Sequence, residues 1–137
     1  MTRNGPDDAT RRGTAETAEI EGLLALAATR PKWGRAALNV MSEAIAKCRA
    51  LRRRFPGEHD ALLARCLWTT ALMLLDRRQA VEALPLAQEA VALARARGGA
   101  PLVQALRHLA SVEEALNRFS EAAATLEEAD RDNRPPG

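Results

Sequence analysis

Residues 61–75 read Ala-Leu-Leu-Ala-Arg-Cys-Leu-Trp-Thr-Thr-Ala-Leu-Met-Leu-Leu. Wound at 3.6 residues per turn, this run is apolar on nearly every side, and a helix of that kind needs neighbours on both flanks. It is therefore expected to be the central helix of the fold, from about Glu58 to Asp76. Glu58 and Asp60 fall in its first turn, where carboxylates offset the helix dipole. The polar run Asp76-Arg77-Arg78-Gln79 ends it.

On either side the chain reads as amphipathic helices. A first helix is expected from about Thr14 to Thr29, with Thr14 and Thr17 available for capping, Ile20, Leu23, Leu24 and Ala27 inward, and Pro31 closing it. A second, about Gly34 to Arg54, carries the stripe Ala37, Met41, Ala44, Cys48 and Leu51, and Pro56-Gly57 ends it. The fourth helix should start near Val81, because Pro85 is tolerated where its missing amide has no intrahelical partner, within the first four residues. Gly98-Gly99 stops it, since glycine accepts the left-handed conformation. A fifth helix runs from Pro101 to Leu116, with proline in its first turn, and a sixth from about Phe119 to Asp130. Its inner face is expected to be Ala122, Leu126 and Ala129. Ser120, Glu121, Thr125, Glu127 and Glu128 would point outward, the polar exterior of a terminal element in a complete array. Residues 1–13 and 131–137 lack periodicity and are expected to be unstructured, leaving a helical domain at 14–130.

Composition agrees with an all-α protein: 47% hydrophobic, 28% charged and 3% aromatic residues, rich in Ala, Leu, Arg and Glu, favour helix formers over strand formers. A length of 137 residues fits one domain. The formal charge of +2 gives no reason to expect nucleic acid or an anionic membrane as partner. No apolar run approaches the roughly 18 residues of a membrane span, so the cytoplasm is the expected location. Cys48 and Cys66 sit at core-like positions and read as reduced, buried thiols. Together with His59 and His108 they are the soft metal ligands, and none of them shows zinc-type spacing, so no metal and no cofactor is expected. No nucleophile comes with a spaced base and orienting partner, so an enzyme is not expected. Arg49, Arg52, Arg53 and Arg54 could hold a phosphate backbone, but lie in the last turns of a helix where cations offset the dipole. Trp33 and Trp68 read as packing anchors before stacking platforms.

Internal similarity is the strongest signal. Ala37-Leu38 with Glu43-Ala44 recurs as Ala83-Leu84 with Glu89-Ala90, and again as Ala122-Ala123 with Glu128-Ala129. Small residues seven apart share one helix face and let a neighbouring helix come close, as stacked hairpins require. With Asn117-Arg118-Phe119-Ser120-Glu121-Ala122, close to a Gly-Arg-Tyr-x-Glu-Ala junction, and the pair Leu109-Ala110, the chain resembles the tetratricopeptide repeat family over about residues 15–130. The copies are 46 and 39 positions apart, longer than that family's usual spacing of about 34, and are similar to the long-helix repeats of kinesin light chains. The resemblance implies three stacked antiparallel helical hairpins forming a right-handed α-solenoid. Asp76 or Asn117 replaces the family's turn glycine. Aligning those two residues shifts the central helix by two positions from the register that pairs Ala71 with Ala110.

The function implied is non-enzymatic: an interaction module that binds a peptide or partner helix in a concave groove lined by the first helix of each hairpin. Two alternatives remain open, a self-associating sensory or regulatory domain and a ligand or catalytic pocket between hairpins. The chain could thus be a monomer or a homodimer. In the register pairing Ala71 with Ala110, Arg65, Thr69, Leu72 and Asp76 make one stripe of the central helix, and Gln104, His108 and Ser111 make its counterpart on the fifth. Trp68 and Arg107 lie beside these stripes. This mixture of basic, hydrogen-bonding and aromatic groups suits an acidic or C-terminal peptide segment.

Overall fold

Among the residues described there are six helices and no strand: α1 Pro6–Ala28, α2 Arg35–Arg54, α3 Asp60–Asp76, α4 Ala80–Arg95, α5 Gly99–Ala115 and α6 Phe119–Asp132. The protein is all-α. The computed structural model describes residues 6–29 and 35–133, with side chains from Ala15 onward. Residues 1–5, Pro31, Trp33 and residues 134–137 lie outside the described residues. Two compact units form, Met1–His59 and Asp60–Gly137.

In the first unit α1 packs on α2. Ile20, Leu24 and Ala27 of α1 are buried, as are Ala37, Met41, Ala44, Ile45, Cys48 and Leu51 of α2. The α1 helix starts eight residues earlier than expected, at Pro6. Proline suits a first helical position, with its φ preset and no amide to satisfy, and Asp7 and Asp8 follow in the turn where carboxylates are favoured. Thr14 and Thr17 therefore lie inside the helix instead of capping it. The polar edges are joined by Lys47 Nζ to Glu19 Oε1 at 2.9 Å and Arg54 Nη1 to Glu16 Oε1 at 2.8 Å. The hydrogen bond from Lys47 to Glu19 raises the lysine pKa. The unit closes with a turn at 55–58, in which the Glu58 amide donates to the Phe55 carbonyl at 3.2 Å. Gly57 there has φ +85°, the conformation that a Pro-Gly pair supplies at the centre of a type II turn. That turn holds Glu58, so α3 begins at Asp60.

In the second unit α3 packs on α4, α4 on α5, α5 on α6, and α3 also on α5. The expectation for residues 61–75 holds within this unit: Leu62, Leu63, Ala64, Cys66, Leu67, Thr70, Ala71 and Met73 are all buried. The one hydroxyl among them, on Thr70, donates to the Cys66 carbonyl at 2.7 Å, so its burial leaves no polar atom unpaired. Cys48 and Cys66 form no disulfide, and each is buried in its own unit.

The ends of α3 and α5 are the same turn. The Gln79 amide donates to Leu74 O at 2.8 Å and the Arg78 amide to Leu75 O at 2.9 Å; likewise Arg118 to Glu113 O at 2.8 Å and Asn117 to Glu114 O at 2.9 Å. These paired bonds define a Schellman turn with its left-handed residue at Arg78 and Asn117, both at φ +61°. The turn position thus belongs to Arg78, not Asp76. It lies 39 residues before Asn117, the same offset that relates Ala71 to Ala110, Ala83 to Ala122 and Ala90 to Ala129, and the register is fixed accordingly. Asparagine tolerates the left-handed region better than arginine does, where an ordinary side chain costs about 1–2 kcal/mol. Replacing Arg78 by glycine removes that strain but makes the unfolded chain more flexible, which returns roughly 0.5–1 kcal/mol. Arg78→Gly is therefore expected to raise stability by up to about 1 kcal/mol, measured by urea unfolding, and Asn117→Gly to change it less.

Pro85 is the sixth residue of α4, later than the tolerance argument allowed. The reason lies in its orientation. Both Pro85 and Val81 are exposed, Val81 to 70%, so the Val81 carbonyl that loses its amide partner is left on the wet side of the helix. At the other end the Gly98 amide donates to Ala94 O at 3.0 Å. Gly98 then takes φ +65° and ψ −160° to start α5 at Gly99, a region that glycine alone occupies without strain.

The last helix departs from expectation in its rotation. Ala122 and Ala129 are buried, but Leu126 is 39% exposed and Phe119 62%. Thr125 turns inward, and its hydroxyl donates to Glu113 Oε1 at 2.7 Å. Glu113 is itself buried in α5. A hydroxyl placed to satisfy a buried carboxylate fixes the helix rotation, because leaving that oxygen unpaired costs about 1–3 kcal/mol or more. Arg95 at the end of α4 holds Glu128 through its two terminal guanidinium nitrogens, and this interaction raises the arginine pKa.

Candidate functional site

The two stripes expected to bind a partner lie on α3 and α5, which pack against each other within one unit. Gln104 stands 39 positions after Arg65, His108 after Thr69 and Ser111 after Leu72, and Ala71 and Ala110, related by the same offset, are both buried. Arg65, Gln104, Arg107 and Ser111 are exposed, whereas Trp68, Thr69, Leu72 and His108 are half-buried.

Trp68 and His108 meet across the helix pair, with ring centroids 5.4 Å apart and planes tilted by 50°. This contact is the centre of the face. Burial pushes the His108 pKa below its ordinary 6.5, so at neutral pH the ring is uncharged and offers one donor and one acceptor nitrogen. Ser111 donates its hydroxyl to the Arg107 carbonyl at 3.2 Å, leaving its oxygen available as an acceptor. Arg65 stands in the first half of α3 and Arg107 at the middle of α5, with Asp76 at the end of α3 and Glu114 one residue before the end of α5.

The depressed His108 pKa has a consequence for stability. Between that lowered value and 6.5 the unfolded chain binds a proton that the folded chain refuses, so the contribution is fully present above 6.5 and is lost as pH falls below it. His108→Gln should therefore lose less stability than the parent between pH 7.5 and pH 5.5 in urea titrations. An equal loss in the two would show that His108 does not carry the effect.

Other candidates from the sequence are placed elsewhere. The arginines of α2 are exposed; Arg54 is tied to Glu16, and its guanidinium carbon lies 5.4 Å from the centroid of the Phe55 ring. His59 meets Phe55 edge to face with centroids at 5.8 Å. Among the described residues no three of His, Cys, Asp and Glu gather as metal ligands would, no buried side-chain nitrogen or oxygen lacks a hydrogen bond, and no helix is long and apolar enough to cross a membrane. The bond between the buried Glu113 and the half-buried Thr125 was not expected from the sequence. Its signal was in the register, for the positions 39 residues earlier are Leu74 and Leu86, an apolar pair exchanged for a polar one.

No family model matches the chain, and no curated protein is significantly similar to it in sequence.

Proposed function

We propose that the chain is a non-catalytic interaction module, built of helical hairpins in the manner of tetratricopeptide repeats, that receives an acidic peptide or peptide C-terminus on the α3/α5 face. The observation that carries this reading is the 39-residue recurrence, in which the same turn, a buried alanine and an outward stripe at matching positions repeat on α3 and α5. A face made twice in one register presents an extended ligand with regularly spaced contacts, which is how stacked repeats bind. Further support comes from the order of the ion pairs in the first unit. Glu16 meets Arg54 and Glu19 meets Lys47, so numbers rise along α1 as they fall along α2, the antiparallel arrangement of a hairpin. Trp68, half-buried beside a neutral imidazole, suits an apolar side chain of the ligand, with Arg65 and Arg107 near enough in the register to meet its carboxylates.

The test uses a synthetic peptide of alternating glutamate and leucine with a free C-terminal carboxylate, and Trp68 fluorescence in a Trp33→Phe background. Quenching or a spectral shift should titrate at low salt and weaken as salt rises, because much of the attraction is between exposed charges. Arg65→Glu with Arg107→Glu should abolish it while helicity is retained. Equal binding by parent and double variant would remove this face from consideration.

A further inference from the structure

The 39-residue register also relates the outer faces of α4 and α6. Phe119 corresponds to Ala80, Ala123 to Leu84, Leu126 to Ala87 and Asp130 to Val91. On α4 this stripe is buried at Ala87 and Val91, at most 3% exposed, which share one core cluster with Leu102, Val103 and Leu106 of α5, and half-buried at Ala80 and Leu84. On α6 the stripe is open, with Phe119 62% and Leu126 39% exposed and Ala123 exposed between them. At two of the four positions the α6 residue is the larger apolar one, Phe119 for Ala80 and Leu126 for Ala87, whereas Ala123 and Asp130 replace Leu84 and Val91.

The charge around the open stripe selects what can cover it. The helix Phe119–Asp132 carries Glu121, Glu127, Glu128, Asp130 and Asp132 against one cation, Arg131. Glu128 is held by Arg95, and Glu121 lies 3.5 Å from Arg118. Glu127, Asp130 and Asp132 have no ion-pair partner among the described residues. A second copy of α6 laid on the first would set acids against acids, an arrangement that like-charge repulsion disfavours.

We propose that the stripe Phe119, Ala123 and Leu126 is a docking surface for an amphipathic helix of another protein, one whose apolar stripe is flanked by lysine or arginine. The incoming helix takes the place on α6 that α5 takes on α4. Its apolar side chains cover Phe119 and Leu126, and its cations meet Glu127 and Asp130 along the rim. This surface depends on the register and on the exposure of α6, and is independent of the peptide reading of the α3/α5 face.

The experiment titrates the full chain into three fluorescein-labelled synthetic peptides. Two share one apolar stripe of leucine and alanine at helical spacing and differ in having lysine or glutamate flanks; the third is a scrambled version of the lysine peptide. The lysine-flanked amphipathic peptide is expected to bind at least tenfold more tightly than the other two, and to weaken as salt is raised. Phe119→Ser with Leu126→Gln should reduce its affinity at least tenfold. Both positions are exposed, and unchanged circular dichroism would show that the fold is kept. Arg65→Glu with Arg107→Glu should leave this binding intact, which separates it from the α3/α5 site. Equal binding of the scrambled peptide, or none by any of them, would overturn the proposal. So would a solution mass that rises with concentration and falls back on Phe119→Ser with Leu126→Gln, because the occupant would then be a second copy.

Discussion

Leu67→Ala is expected to be the most damaging single truncation in the second unit, costing about 2–5 kcal/mol. Leu67 is fully buried at the middle of α3, the helix that packs on both α4 and α5. Removing its isobutyl group forfeits a transfer contribution of about 1.5–3 kcal/mol and leaves a cavity that α3, held on two sides, cannot collapse to fill. For a unit of this size each kcal/mol lowers the melting temperature by roughly 4–8 °C, so the change should be plain in thermal unfolding followed by circular dichroism. Leu72→Ala supplies the comparison. Leu72 is half-buried on the outward face of the same helix, and its truncation should cost markedly less. A Leu67→Ala chain that melts with the parent would mean that α3 is not the centre of its unit.

The contrast between Leu67 and Leu72 also shows what the sequence could and could not convey. Residues 61–75 are so uniformly apolar that a helix needing cover on both flanks is nearly the only reading, and the glycines and prolines between the other periodic stretches place their ends within a few residues, except at the start of α1, which lies eight residues earlier. What composition left open was rotation. For α3 the register had two solutions, because aspartate and asparagine look like equivalent turn residues on paper. The structure chooses Arg78, a residue that chemical type would not nominate for a left-handed position, because the amides of Arg78 and Gln79 must reach the carbonyls of Leu75 and Leu74. For α6 the hydrophobicity of Leu126 pointed inward. One hydrogen bond decided otherwise, since a buried Glu113 needs the Thr125 hydroxyl, and turning Thr125 in turns Leu126 out. Pro85 follows the same logic: its tolerance depends on which side of α4 it faces, information that distance from the helix start does not contain. The candidate face was legible in outline because its residues inherit their spacing from the repeat. The meeting of Trp68 with His108 required the α3/α5 contact itself.

Ala90→Leu tests the repeat from the opposite direction, by adding volume where truncation removes it. Ala90 is fully buried in α4, and so are its counterparts Ala44 in α2 and Ala129 in α6. Two effects compete on substitution. Three further carbons would stabilise the fold by burying apolar surface if there were room for them, at about 0.8 kcal/mol each. A side chain with no exposed surface in a helix packed on two others has no such room, and forcing the helices apart costs about 1–3 kcal/mol, occasionally more. The steric cost should win, lowering the urea midpoint of the second unit, while Ala92→Leu two positions on, on the exposed side of α4, should shift stability by no more than about 0.5 kcal/mol. The same substitution at Ala129 should reproduce the loss, because the 39-residue register gives it the same packing role. Were Ala90→Leu neutral and Ala92→Leu destabilising, the small residues would not be the contact points between helices, and the recurrence of alanine at seven-residue spacing would lose its mechanical meaning.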